Sequence, residues 1–268
     1  MQILYNSTNE MIVFFTYLLI LLKKLNPNSH SFTNTIHMIK NLAREINDES
    51  HQATASYSVD FNKFFMGHLL KNYCSIILEA PVKRQHICEL IYSHCSHDLQ
   101  MRIKVVQSLK KYLKTDEVVY ACHAFLISNE ETFNEQWFDV FLYYALIGLS
   151  NPQVNIRIYS LNVLNTIAQH NAESILDITE KIQKISTEKH WEIKAQCLEF
   201  AITMLKSYKS SSHLIATKGD EMKAAKAGTT KPLSPTAGGG DRNSVKGNLS
   251  LAVDIISNCF NLDSPKSV

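Results

Sequence analysis

The chain has 268 residues, of which 45% are hydrophobic and 19% are charged, with a formal net charge of +2 at pH 7. This apolar content is enough for a substantial core and excludes a largely disordered protein, and the small net charge gives no basis for a nucleic-acid-binding class. Only Gly67 and Gly148 precede residue 218. So few glycines favour helices joined by short polar turns over strands and phosphate loops.

The N-terminal region contains an almost uninterrupted apolar run, Met11 to Leu22. The run is shorter than the about 20 residues that span a bilayer, and Glu10 stands where a signal peptide would have its basic region. We therefore expect a buried helix. A membrane anchor over residues 11–25 stays open as the alternative.

Helical periodicity continues after this run. Residues 32–46 carry apolar side chains at helical spacing, with Ser31 placed to cap them. Residues 48–60 are polar and are predicted to form a loop, whereas residues 61–79 are strongly apolar and helical in pattern. Pro81 then restarts the chain.

A regular series of seven helices is predicted from Pro81 onward. The fourth opens at Thr132, with Glu135 at capping-box spacing, and is apolar on nearly every side, which is typical of a sandwiched helix. Asn151-Pro152 is predicted to cap the fifth helix, and Asn171 the sixth. The other four are expected at residues 82–95, 99–114, 115–128 and 190–206.

Three of these helices share one pattern. Residues 154–168 align with 191–205, placing Arg157 over Lys194, and residues 101–113 join them with Arg102 over Arg157. A basic residue followed by apolar residues four, seven and ten or eleven positions later resembles the second helix of repeats in the HEAT/armadillo superfamily. The resemblance is clearest over residues 134–207 and extends back to residue 82.

This resemblance implies an all-α fold in which helical hairpins stack into an armadillo/HEAT-like α-solenoid over residues 1–208. A non-repetitive helical bundle is the alternative architecture. After Tyr208 the composition changes. Residues 209–247 carry seven basic and three acidic residues among many Ser, Gly and Thr, and are predicted to be a flexible basic linker.

A short amphipathic helix and a disordered tail are predicted for residues 248–268. Four apolar residues repeat at helical spacing there: Leu249, Val253, Ile256 and Phe260. The helix is expected either to fold back onto the solenoid or to dock into a partner's groove. Ser234-Pro235 and Ser264-Pro265 match the pattern of proline-directed phosphorylation sites.

No catalytic motif is present: the sequence lacks a phosphate loop, a GxSxG elbow and an HExxH helix. The densest set of metal-ligand residue types, at positions 86–98, lacks the CxxC-like knuckle of zinc modules. Its members are His86, Cys88, His94, Cys95, His97 and Asp98. We predict no catalytic residue, metal or cofactor, with a helical enzyme carrying a cryptic metal site as an alternative.

The cysteines and one aromatic cluster indicate the redox compartment and the class of partner. The six cysteines are scattered without a CxxC pair, which fits a reducing compartment and buried thiols. The aromatic cluster at residues 137–144 has no interleaved basic residues, so no nucleic-acid partner is expected.

The sequence therefore favours a cytoplasmic, non-enzymatic scaffold or adaptor that binds proteins through its solenoid surface and its C-terminal helix. Arg102, Arg157 and Lys194 are candidates for a basic ladder that binds an acidic partner, and structural contacts to neighbouring turns are their alternative role. A basic linker suits the acidic tails of tubulin, which favours microtubule, cytoskeletal or ciliary association. A membrane-associated trafficking adaptor, anchored through residues 11–25, is the alternative function.

Overall fold

The structure, a computed structural model, describes residues 8–50, 61–225 and 240–260, and over these ranges it contains helices and no strand. The all-α class predicted from the sequence is thus confirmed for the described chain. Over the described residues we label the α-helices α1 (Thr8–Lys24), α2 (His30–Ser50), α3 (Leu70–Glu79), α4 (Arg84–Cys95), α5 (Leu99–Leu113), α6 (Asp116–Ile127), α7 (Glu135–Gly148), α8 (Val154–His170), α9 (Thr179–Ser186), α10 (Trp191–Ala225) and α11 (Gly240–Phe260). A π-helical segment, Phe65–Leu69, leads into α3, and 3₁₀ turns precede α4 and α9.

Two predicted helix starts are wrong by a few residues. The side chain of Asn134, not Thr132, accepts the backbone N–H of Trp137 at 3.1 Å, so α7 begins at Glu135. Asn151 accepts the N–H of Gln153 at 2.9 Å and stabilises the turn before α8, which begins only at Val154. In both places an asparagine side chain satisfies N–H groups that the helix itself leaves without acceptors.

The apolar N-terminal run forms one side of a core. Phe15 and Leu22 on α1 are fully buried, whereas Val13, Tyr17 and Ile20 are exposed on another face of the same helix. Over the described residues, no helix combines the length and apolar character needed to cross a bilayer. Helix α2 continues to Ser50, so the first three residues of the loop predicted for residues 48–60 are helical, and the remaining ten lie outside the described residues.

Residues 1–140 form the first of two compact units. In this unit alternate helices pack side by side: α1, α3 and α5 make one row, and α2, α4 and α6 make the other. Fully buried side chains from both rows fill the space between them, among them Tyr73, Ile77, Leu90, Ile91, Leu109 and Cys122. Such alternation buries an apolar face that no single hairpin could cover.

Residues 141–268 form the second unit, in which α8 lies beside α10 and α9 beside α11. Helices α10 and α11 run antiparallel, since Lys194 near the start of α10 contacts Cys259 near the end of α11. Apolar side chains close the core, including Leu161, Leu164, Cys197, Phe200, Met204 and Ile255. The same alternation of helices occurs in each unit, and a continuous solenoid stays a prediction.

The linker predicted for residues 209–247 differs from the structure at both ends. Helix α10 continues to Ala225 and helix α11 begins at Gly240. The extension of α10 contains three lysines and three alanines, which are good helix formers, together with three serines and one glycine, Gly219. The two predicted phosphorylation sites, Ser234 and Ser264, lie outside the described residues.

Candidate functional site

The three basic residues aligned from the sequence occupy one structural position. Arg102, Arg157 and Lys194 are each the fourth residue of a helix: α5, α8 and α10 respectively. Each side chain reaches the C-terminal end of the next α-helix in the chain. We refer to these contacts as the fourth-position contacts.

In the first unit, Arg102 forms an ion pair with Glu130, three residues beyond the end of α6. Its guanidinium carbon also lies 5.1 Å from the centroid of the Trp137 ring and 6.0 Å from that of Tyr92. Only 8% of Arg102 is exposed. A charge this buried needs a charged partner, because its desolvation would otherwise cost several kcal/mol.

In the second unit, Arg157 repeats this arrangement with more hydrogen bonds. One terminal nitrogen donates to the carboxylate of Glu188 at 2.8 Å, and the other donates to the carbonyl oxygens of Asn151 at 2.6 Å and Pro152 at 2.9 Å. Arg157 is also 8% exposed. The guanidinium therefore ties the turn before α8 to the turn after α9.

Lys194 makes the third contact. Its ammonium group donates to the carbonyl oxygen of Cys259, at the end of α11, at 3.3 Å. The carbonyl end of a helix carries partial negative charge, so a cation there is favourable.

These positions bear on the predicted basic ladder, which requires cations that face solvent. Two of its three members, Arg102 and Arg157, are buried and paired with glutamates inside their units. Their geometry fits the alternative role, structural contact to neighbouring turns. Sequence reasoning missed Glu130 and Glu188. One sequence feature could have identified them as partners of the arginines. Each glutamate lies two or three residues after the end of the helix that follows the arginine's own helix.

A cleft of about 450 Å³ lies beside Arg157, between the turn before α8 and helix α9. Leu149, Pro152 and Ile185 supply apolar wall, and Lys181 and Lys184 add two exposed cations. Glu188 is the one carboxylate among the lining residues, so three cations and one anion leave two net positive charges. Its volume falls within the range of ligand-binding clefts. We refer to it as the α9 cleft.

Helix α11 packs back onto α9 and α10, but not through the predicted stripe. The buried residues are Leu251, Ala252, Ile255 and Cys259, one stripe over from Leu249, Val253, Ile256 and Phe260. In the predicted stripe, Val253 is 50% exposed, Phe260 is 67% exposed, and Leu249 and Ile256 are partly buried. The helix thus has two apolar stripes, and the one identified from spacing lies beside the buried stripe, with two of its four residues exposed.

Helix α10 also has exposed apolar side chains. Trp191 is 73% exposed and Ile202 is 50% exposed, and both lie away from the buried face formed by Ile193, Cys197, Phe200 and Met204. The contact between Lys194 and Cys259 places Trp191 and Phe260 at the same end of the α10–α11 hairpin. We refer to Trp191, Ile202, Val253 and Phe260 together as the hairpin face.

The histidine- and cysteine-rich segment at residues 86–98 is largely core. His94 is fully buried, with Nε2 2.9 Å from the hydroxyl of Tyr73 and the rings of Phe15, Phe61 and Phe65 around it. Burial lowers its pKa to about 3.

Cys95 and Asp98 of that segment also have structural surroundings. Burial raises the pKa of Cys95 to about 12, and Asp98 caps α5 by accepting the N–H of Gln100 at 2.8 Å. Within residues 8–50, 61–225 and 240–260, no three His, Cys, Asp or Glu side chains are grouped to hold a metal ion.

Comparison with protein-family models, with curated proteins and with solved structures gives no match to this chain, so its resemblance to HEAT/armadillo repeats stays a prediction.

Proposed function

We propose that the chain is a non-enzymatic scaffold or adaptor that binds another protein through the hairpin face. The observation that carries the proposal is the exposure of four large apolar side chains on one helical hairpin. Single exposed apolar residues are normal on protein surfaces, whereas several on one element mark interaction sites.

The chemistry of the hairpin face supports a protein partner. Trp191 and Phe260 offer broad apolar surfaces at one end of the hairpin, and tryptophan is enriched among residues that dominate binding energy at protein interfaces. The opposite sides of α10 and α11 are held by their own core, so a partner could bind the hairpin face without unfolding the hairpin. Partner binding through Val253 and Phe260, predicted from the sequence, fits this arrangement.

Affinity purification with quantitative mass spectrometry tests the proposal. We compare the full-length chain with a double variant, Trp191→Ser with Phe260→Ser, and with a control variant, Tyr143→Ser. Tyr143 is 62% exposed on α7, so the control also removes a large exposed aromatic residue. We expect a partner that the original chain and the control recover and the double variant loses, while all three proteins unfold at similar temperatures.

Two results would refute this proposal. One is equal recovery of every partner by the double variant. The other is the absence of any stoichiometric protein partner from the original chain.

Within this class, we propose microtubule association as the specific role. The support is the excess of basic residues over residues 209–247, which suits the acidic tails of tubulin. Cosedimentation with microtubules at low salt, with release at high salt, is the expected result, because exposed charge pairs are screened beyond about 10 Å at 0.1 M ionic strength. Absent binding, or binding that salt does not change, would contradict this role.

A further inference from the structure

We infer that the α9 cleft binds an acidic peptide segment of a protein partner, with Lys181 and Lys184 holding its carboxylates. The inference deepens the proposed function and rests on it for the claim that the ligand belongs to a protein. It concerns a surface distinct from the hairpin face, so each can be tested without the other.

The two lysines are placed to act together. They lie three residues apart on α9, a spacing that puts side chains on the same side of a helix about 5–6 Å apart at their Cβ atoms. Both are exposed, and neither forms an ion pair within the part of the chain that the structure describes. The cleft therefore holds cationic charge that its own residues do not neutralise.

The charges of the cleft favour the single charges of separate carboxylates over the double charge of one phosphate. Bidentate binding of either anion would use a free guanidinium edge. The terminal nitrogens of Arg157 already donate to Glu188 and to the carbonyl oxygens of Asn151 and Pro152. Only the flexible ammonium groups of the lysines remain, and a compact dianion would also meet the carboxylate of Glu188 on the cleft wall.

The apolar walls of the cleft indicate that the bound peptide also contains apolar side chains. Leu149, Pro152 and Ile185 line it beside the cations. A segment that alternates acidic and apolar residues would satisfy both kinds of surface, whereas a purely acidic ligand would leave the apolar wall in water. Arg157 holds the turn before α8 against the turn after α9, and these contacts connect two sides of the cleft.

Fluorescence anisotropy with the purified full chain tests the inference. The probe is a labelled peptide that alternates glutamate and leucine, and a matched peptide replaces every glutamate by glutamine. The test variant is Lys181→Glu with Lys184→Glu. The control is Lys206→Glu with Lys209→Glu, which makes the same charge change at two exposed positions on α10.

We expect the test variant to weaken binding of the glutamate peptide by about tenfold or more and the control by about twofold or less, since close charge pairs depend on position. The glutamine peptide should bind the original chain about tenfold more weakly than the glutamate peptide. Equal weakening by both variants would show a nonspecific charge effect and overturn the inference, as would equal binding of the two peptides.

A competition arm separates the other ligand classes. A phosphoserine peptide without glutamate that displaces the probe at lower concentration than the glutamate peptide would replace the inference with phosphopeptide binding. Displacement by vesicles of anionic lipid, but not by the unlabelled glutamate peptide, would replace it with membrane binding. If the hairpin-face variant keeps every protein partner while the glutamate peptide still depends on Lys181 and Lys184, the proposed function fails and the cleft inference stands. If the hairpin-face variant loses its partner while peptide binding does not depend on these two lysines, the proposed function stands and the cleft inference fails.

Discussion

Acidification should destabilise the first unit through two buried histidines. His94 is fully buried and His123 is 1% exposed, and burial lowers the pKa of each imidazole to about 3. In the unfolded chain the pKa of histidine is about 6.5. As pH falls below 6.5, the two histidines therefore bind protons in the unfolded state but not in the folded state. The free energy of unfolding decreases until about pH 3, where the histidines are protonated in both states.

The size of the effect follows from this difference in pKa. A difference of one pKa unit corresponds to about 1.4 kcal/mol, and pH 5 lies about 1.5 units below the unfolded pKa. Each histidine should therefore lower the free energy of unfolding by about 2 kcal/mol between pH 7.5 and pH 5, and the pair by about 4 kcal/mol. Domains are stable by about 5–15 kcal/mol, so the loss is a large fraction of the total.

Urea unfolding at several pH values measures this loss. Trp137 is buried in the first unit and Trp191 is exposed, so a Trp191→Phe background restricts the fluorescence signal to Trp137. In this background the double variant, His94→Gln with His123→Gln, should lose much less stability on acidification than the parent. His37→Gln removes an exposed histidine and should leave the pH dependence unchanged.

The comparison is between pH dependences, not absolute stabilities, because glutamine changes the core packing at every pH. An equal loss of stability in the parent and the double variant would refute the reasoning. It would mean that water reaches the imidazoles in the folded state, or that carboxylates alone cause the acid sensitivity.

Three further predictions concern an ion pair, a core side chain and the cysteines. Replacing Arg157 by Met should lower the free energy of unfolding by about 2–3 kcal/mol, because Glu188 then loses its counter-charge. In the same urea titration, the control variant Lys181→Met should change the free energy of unfolding by less than about 0.5 kcal/mol. Phe15→Ala should lower the free energy of unfolding by about 3–5 kcal/mol through the cavity that it leaves. Val13→Ala, on the exposed side of the same helix, should lower it little, and thermal unfolding would measure both. Similar losses in the two variants would place the N-terminal run outside the core. All six cysteines are buried, and burial raises the pKa of Cys197 to about 12, so Ellman's reagent at about pH 8 should react slowly until denaturant is added; immediate reaction of several thiols would contradict the packing.

The helical series could be predicted because its signals are local. Periodicity, Pro81 and polar turns placed the helices between residues 82 and 170 to within a few positions. The exact start of α7 was harder to predict, because the sequence offers two acceptable N-terminal caps. One is the capping box of Thr132 and Glu135, and the other is Asn134. Only the hydrogen bond from the N–H of Trp137 to Asn134 distinguishes them.

The partners of buried polar groups could not be predicted. Residues distant in sequence surround His94: Phe15 comes from α1, and Phe61, Phe65 and Tyr73 come from the region before and within α3. The glutamates that pair with Arg102 and Arg157 stand at unequal distances along the chain, so an alignment of equal repeats does not reveal them.

Helix α11 shows the same limit for apolar patterns. Leu249, Val253, Ile256 and Phe260 form a good amphipathic stripe, yet Leu251, Ala252, Ile255 and Cys259 are the residues that α9 and α10 cover. Spacing identifies which residues share a side of a helix. Which of two apolar sides is buried depends on the surfaces of the helices that pack against it.

The fourth-position contact of Lys194 has a consequence for engineering. It joins the start of α10 to the end of α11, at the opposite end of the hairpin from the connection between Ala225 and Gly240. Its acceptor is a backbone carbonyl, so the contact itself does not depend on the side chain at position 259. An epitope or a fluorescent reporter inserted between residues 226 and 239 should therefore leave the pairing of α10 with α11 in register.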